Sequence, residues 1–170
     1  MRKSIALLCF LALSVGFAAC AGSPQFGASP KPATASLAAF KEAIRAKYDL
    51  KEKAFKEHDA ESILTRFYAE DAVSVGAGFG IYKGRDQLRP LYEEAVKAYT
   101  VKVISLNTVL EGSAGWDWAD FEVIPVDPKE EPFTLAILFL WVESDGTWIC
   151  KGDFFVKGSL RTGKLAPPSA

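Results

Sequence analysis

Apolar residues recur at three- and four-residue steps through Leu37, Phe40, Ile44, Tyr48 and Phe55, with Lys51 standing on the beat between the last two. That spacing predicts an amphipathic helix over about 36–57 with one charged side chain set in its apolar stripe. His58-Asp59 interrupts the pattern, and Asp59 is placed to cap a short second helix whose apolar face is Ile63, Leu64, Phe67 and Tyr68. Ala72-Val73-Ser74-Val75 reads as a short strand, Gly76-Ala77-Gly78-Phe79-Gly80 as a loop, and Ile81-Tyr82 as a brief extended piece. After Gly84, helical spacing returns at Leu88, Leu91, Tyr92, Ala95 and Tyr99. Pro90 fits that third helix only in its first turn, where backbone N–H groups have no intrahelical partner.

From Thr100 the period becomes two. Four β-rich runs, about 100–111, 115–126, 133–143 and 147–158, are separated by Glu111-Gly112-Ser113, Asp127-Pro128-Lys129 and Ser144-Asp145-Gly146. These turn chemistries predict an antiparallel meander. With helices first and sheet after, the fold class is α+β, its helices gathered on one sheet face. In the second run, alternation sets Asp117, Ala119, Phe121 and Val123 on a core-like face and Trp116, Trp118, Asp120, Glu122 and Ile124 on the other. Leu135 to Val142 is apolar on both faces, so the sheet's second face also calls for cover, which a homodimer would supply.

The N-terminus departs from this globular pattern. Met1-Arg2-Lys3 precedes an apolar run from Ile5 to Ala19, the layout of a secretory signal. The run is shorter than the roughly 20 residues that span a bilayer as a helix. Phe17-Ala18-Ala19-Cys20 resembles a bacterial lipobox, with ordinary signal-peptidase cleavage at the same place as the alternative. Ala21 to Ser36 is rich in Ala, Gly, Ser and Pro and suits a tether. The expected organisation is a signal over 1–20, a tether over 21–35, a domain over 36–160 and a disordered tail over 161–170. Resemblance to lipoproteins implies a lipid on Cys20 and a place on the periplasmic side of the outer membrane, the membrane being met only through that anchor; a soluble periplasmic protein is the alternative.

Composition narrows the function classes. Without Arg2 and Lys3 the chain carries 18 basic and 21 acidic side chains. A net charge of −3 speaks against nonspecific nucleic-acid binding. The single histidine, His58, and the scattered Cys9, Cys20 and Cys150 offer no metal-ligand cluster, so neither metal nor cofactor is expected.

His58-Asp59-Ala60, Phe67-Tyr68-Ala69-Glu70-Asp71-Ala72, Tyr82-Lys83-Gly84-Arg85-Asp86 and Asp145-Gly146-Thr147-Trp148 followed by Asp153 resemble the punctuation of the NTF2-like (cystatin-like) superfamily, in its SnoaL-like and DUF4440-type branches. The resemblance implies a cone, with three N-terminal helices packed on a curved, mainly antiparallel sheet around a pocket for a small apolar or amphipathic molecule. Candidate pocket residues are Tyr48, Phe55, Tyr68, Phe79, Tyr92, Trp118 and Trp141. The ketosteroid-isomerase positions align with Lys51 or Glu52, Gly76 and Leu138, so that machinery does not carry over. An enzyme of another kind (polyketide cyclase, isomerase or hydratase) would use Asp153 with Lys51 or Tyr48, and a third reading is an association module without ligand.

Two of these candidates have bland readings beside the sharp ones. Lys51 could lay its stem along the core edge with its ammonium in water, or sit in the pocket with a lowered pKa. Asp153 could be a buried proton-transfer group, or share a solvated strand face with Ile149, Lys151, Phe155 and Lys157. Cys150 in an apolar strand reads as an inert thiol, and His58 as a structural hydrogen-bonding group.

Overall fold

A computed structural model describes residues 36–165. The signal, the tether and Cys20 lie outside the described residues. Helix α1, Leu37–Glu57, starts where the Ser36 side chain accepts from Ala39 N and buries Phe40, Ile44, Tyr48, Lys51, Ala54 and Phe55. It stops at His58, which takes the left-handed conformation (φ 55°). The Nδ1 of that histidine lies 2.5 Å from Val96 O. Asp59 caps α2, Ala60–Ser62, by accepting from Ser62 N. A π-helical turn, Ile63–Phe67, follows, and Tyr68 opens β1, Tyr68–Gly76, instead of completing the second helix. After β2, Gly80–Lys83, helix α3 runs Gly84–Ala98. Pro90 lies in its second turn and not its first, which leaves the Asp86 carbonyl without its intrahelical donor.

The long strands follow the sequence reading closely: β3 Tyr99–Glu111, β4 Ala114–Pro125, β5 Phe133–Ser144 and β6 Thr147–Ser159. The chain beyond 160, read from sequence as a tail, turns back so that β7, Lys164–Leu165, pairs with the end of β6. Asp120, fully buried, anchors this turn by accepting from Ser159 Oγ, Leu160 N and Arg161 Nε.

The sheet order is β2-β1-β6-β5-β4-β3. All neighbours are antiparallel except β1 and β6, which run parallel. This corrects the expected curved cone: the sheet is open and mixed, its path ends at β2 and β3, and no pairing joins those edges. Closure would demand a continuous ladder between the first and last strands, and β2 is only four residues long. The β3 edge is met by α1 instead, where Glu52 Oε1 accepts from Val103 N (2.9 Å) and Arg45 donates to Val103 O (2.7 Å).

Bulges set which side chains face the helices. In β6, Cys150 pairs with Trp141 and Gly152 with Leu140, so Lys151 is an extra residue. The alternation shifts phase there. Cys150 and Asp153, three apart, therefore both point inward, while Lys151 pairs with Asp71 at the surface. Asp153 does not share a face with Ile149 and Lys151, as uninterrupted alternation implied. A second bulge, at Leu106 in β3, brings Thr108 inward opposite Asp117.

Gly152 lies opposite Val73 in the parallel pairing of β1 and β6, and a Cβ there would overlap the carbonyl oxygen of Val73. Neither backbone can yield without breaking the parallel pairing. Gly152→Ala is expected to lower unfolding stability by about 2–3 kcal/mol, in the range for overpacking a tight interior, as read by urea titration with circular dichroism.

Candidate functional site

One row across the inner face of the sheet reads Ser74, Asp153, Phe139, Asp117 and Thr108, each in register with the next. Two buried carboxylates are thus separated by one aromatic strand position, about 10 Å apart at the usual strand spacing. Helix α1 crosses this row and offers each carboxylate a partner from its buried stripe, Tyr48 toward Asp117 and Lys51, three residues on, toward Asp153.

The Asp117 cluster is closed. Tyr48 Oη donates to Oδ2 (2.8 Å), and Ser105 and Thr108 donate to Oδ1 (2.7 Å each). Burial and the neighbouring Asp117 hold the Tyr48 phenol well above its usual range. Trp141 packs edge-on against Tyr48, and its Nε1 has no hydrogen-bond partner.

The Asp153 cluster opens onto empty space. Tyr68 Oη donates to Asp153 Oδ2 and Ser74 Oγ to Oδ1 (2.5 Å). Because the Tyr68 proton is committed to Asp153, Tyr92 Oη donates to Tyr68 (2.7 Å), as does Lys51 Nζ (3.0 Å). Lys51 is only 2% exposed, so its ammonium does not reach water along the core edge. Ring faces surround it, with Phe67 at 4.2 Å, Tyr68 at 4.7 Å and Tyr92 at 5.0 Å from Nζ. Loss of hydration lowers its pKa from 10.5 to about 8, with the charge of Asp153 pulling the other way. Tyr68 and Tyr92 are held well above their usual range by burial and by the same carboxylate. Cys150, also buried beside them, is pushed up in the same manner. It is an inert thiol, not a nucleophile.

Above this floor lies a cavity of about 140 Å³ between the sheet and helices α1 and α3. Its walls are apolar: Phe55 from α1, Leu91 and Ala95 from α3, and Val101, Phe121, Val123, Phe133, Leu135, Ile137 and Phe155 from the sheet. Tyr99 and Phe79 complete them, and Phe79, about half exposed, packs on Phe155 with ring centres 5.3 Å apart. The charged side chains at the cavity are Lys51 and Asp153, joined there by the hydroxyl-bearing Ser74, Tyr92 and Tyr99.

Of the residues named from sequence, Lys51, Asp153, Phe55, Phe79 and Tyr92 line this cavity. Tyr68 lies beneath it as the link between Lys51 and Asp153. Tyr48 and Trp141 are buried away from it, beside Asp117. Trp118 is a correction: its position on β4 turns it to the opposite, exposed face of the sheet, as the alternation with inward Asp117 and Ala119 requires. Ser74 was missed. Its signal was the lone hydroxyl in the run Ala72-Val73-Ser74-Val75, but its pairing with Asp153 depends on a parallel register that local pattern does not disclose.

No protein-family model and no curated protein matches the sequence. Solved structures do match over most of the chain. An NTF2-like protein of unknown function from Pseudomonas putida is 18% identical with a TM-score of 0.62, covering 77% of this chain and 95% of that one. A protein with a cystatin-like fold from Caulobacter vibrioides is 14% identical with a TM-score of 0.60, covering 72% and 92%. A ketosteroid isomerase-like protein from Erwinia carotovora atroseptica is 20% identical with a TM-score of 0.58, covering 69% and 95%. The chain therefore has the NTF2-like, cystatin-like fold, with three helices on a mixed and mostly antiparallel sheet.

The lowered Lys51 pKa carries a sign for stability. Below pH 8 the lysine is charged in both folded and unfolded chains, and burial of that charge costs about 3 kcal/mol. Between pH 8 and 10.5 the unfolded chain binds the extra proton, so stability rises with pH. Lys51→Met is expected to lose this rise, its stability changing less than the parent's between pH 8 and 10.5, when both are unfolded in urea across that range.

Proposed function

We propose that the protein binds a small, largely apolar or amphipathic molecule in the cavity between sheet and helices. The observation that carries this is the distribution of polarity, with mostly apolar walls and a hydrogen-bonded cluster gathered around Lys51 and Asp153. Such a layout sorts a ligand by shape and fixes its orientation by one polar terminus. The volume suits a ring-sized molecule, since an apolar cavity of about 150 Å³ accepts benzene. The SnoaL-like resemblance of the sequence supports the same reading. Export, with anchoring through Cys20 on the periplasmic side of the outer membrane, belongs to this proposal and rests on the N-terminal sequence pattern alone. Among the described residues no helix is long and apolar enough to cross a membrane.

The enzymatic alternative keeps Asp153 with Lys51, which Tyr68 links, and loses Tyr48, whose hydroxyl is used by Asp117.

Association into a homodimer is favoured by a separate observation. On the uncovered sheet face, Ile81, Val75, Phe154, Leu138 and Trp118 stand in one cross-strand row. Val73, Gly152, Leu140, Trp116 and Val109 form the next row. Beyond them lie Val156, Ala136 and Ile104, in a row whose remaining member, Asp120, is capped by Arg161. A second copy offers the same twist and chemistry to such a face.

Benzyl alcohol is expected to bind in isothermal titration and to raise the melting temperature, and Ala95→Phe, which fills the cavity from α3, is expected to weaken it at least tenfold. Absence of binding by benzyl alcohol and toluene alike would mean that the space is only a packing void. In sedimentation at micromolar concentration the parent should run as a dimer and Leu138→Lys as a monomer; a monomeric parent would remove the association reading.

A further inference from the structure

We infer that Lys51 captures a carbonyl: the cavity takes a small aromatic or short-chain apolar aldehyde or ketone, and the lysine condenses with it to an iminium that Asp153 faces. The inference rests on the ligand-binding reading above and names the chemistry of that ligand.

The ammonium has three N–H groups and one oxygen partner, Tyr68 Oη. Aromatic faces and the cavity take up the remaining directions. The floor is balanced, with one cation and one carboxylate joined through Tyr68. A ligand bringing its own charge would leave an uncompensated charge between apolar walls, at high cost. A neutral ligand with an acceptor oxygen fits. A hydroxyl would need nothing beyond the ammonium, whereas the chain from Tyr68 to Asp153 serves to free the amine.

The protons balance along the observed hydrogen bonds. Lys51 passes one proton to Tyr68 Oη while the Tyr68 proton moves to Asp153 Oδ2, leaving a neutral amine beside a carboxylic acid. The amine nitrogen bonds to the carbonyl carbon, and a second nitrogen proton goes to the former carbonyl oxygen. The resulting hydroxyl takes the proton held by Asp153, returned through Tyr68, and departs as water. Aldehyde plus ammonium thus becomes iminium plus water, without a change of oxidation state, and Asp153 is again a carboxylate opposite a cation. The same rings that surround the ammonium stabilise the iminium. A pKa of about 8 supplies roughly 300-fold more neutral amine at pH 7 than an ordinary lysine. Of the titratable groups around it, Tyr68, Tyr92 and Cys150 stay protonated in this range and Asp153 is the one proton acceptor in contact with the chain.

The test is reductive trapping of the protein with benzaldehyde and cyanoborohydride, followed by intact mass and peptide mapping. One benzyl group per chain on Lys51 is expected, formed at least tenfold faster than on any surface lysine and faster toward pH 8; Lys51→Arg should lose that fast adduct. Mapping of the parent decides the matter even if the variant fails to fold. Label scattered over surface lysines with Lys51 unmodified, while benzyl alcohol binds, would overturn carbonyl capture and leave the cavity reading standing. The same scatter with no benzyl alcohol binding would remove both.

Discussion

One unpaired residue in β6, Lys151, governs the interior of this protein. Were Lys151 paired in ordinary alternation, Asp153 would point outward with Gly152 facing the helices, and the inner row would hold no carboxylate for Tyr68, Ser74 or Lys51. With it unpaired, Trp148 and Cys150 pack against the helices on one side of the bulge, and Asp153 and Phe155 on the other. The parallel strand β1 accommodates the same shift. Four of its residues lie between Tyr68, opposite Cys150, and Val73, opposite Gly152, so that Tyr68 and Ser74 approach one carboxylate from two sides.

The two carboxylates of the inner row show how differently a buried charge can be treated. Asp117 is surrounded by three hydroxyl donors and no cation, a closed arrangement that satisfies the carboxylate and leaves it nothing to do. Asp153 accepts from the hydroxyls of Tyr68 and Ser74, the first of which is itself bonded to an amine that borders empty space. Removing a lysine from water opposes folding, and the cation–π contacts offset only part of that. A core built for stability alone would hold methionine or leucine at that turn of α1.

Much of the fold was legible because its elements are long and strongly periodic. The α1 stripe was readable down to the charged residue within it, and the four long strands were readable to within a residue or two because Gly, Pro and Asp mark their turns. What escaped was every change of phase. The bulges at Lys151 and Leu106 carry no compositional mark, so Asp153 was assigned lysines for neighbours. Tyr68 was assigned to a helix, since the residues before it keep helical spacing and the π turn that ends them is set by the strand pairing that follows. The choice between the two faces of β4 was visible as two candidate sets. Only the packed helices decide that Trp118 is outside and Asp117 inside.

The open sheet has one further consequence, through its last strand. An edge strand presents unpaired N–H and C=O groups that invite another chain to extend the ladder. In β3 the outward pair at Val103 is already engaged, its N–H by Glu52 and its carbonyl by Arg45, two side chains of α1 held to each other by a 2.6 Å ion pair. Together they occupy the place of a further partner strand, and the bulge at Leu106 breaks the regular spacing a few residues further on. Strand-by-strand growth is therefore blocked at the β3 edge of a chain that is rich in β-structure and has an apolar face open to contact.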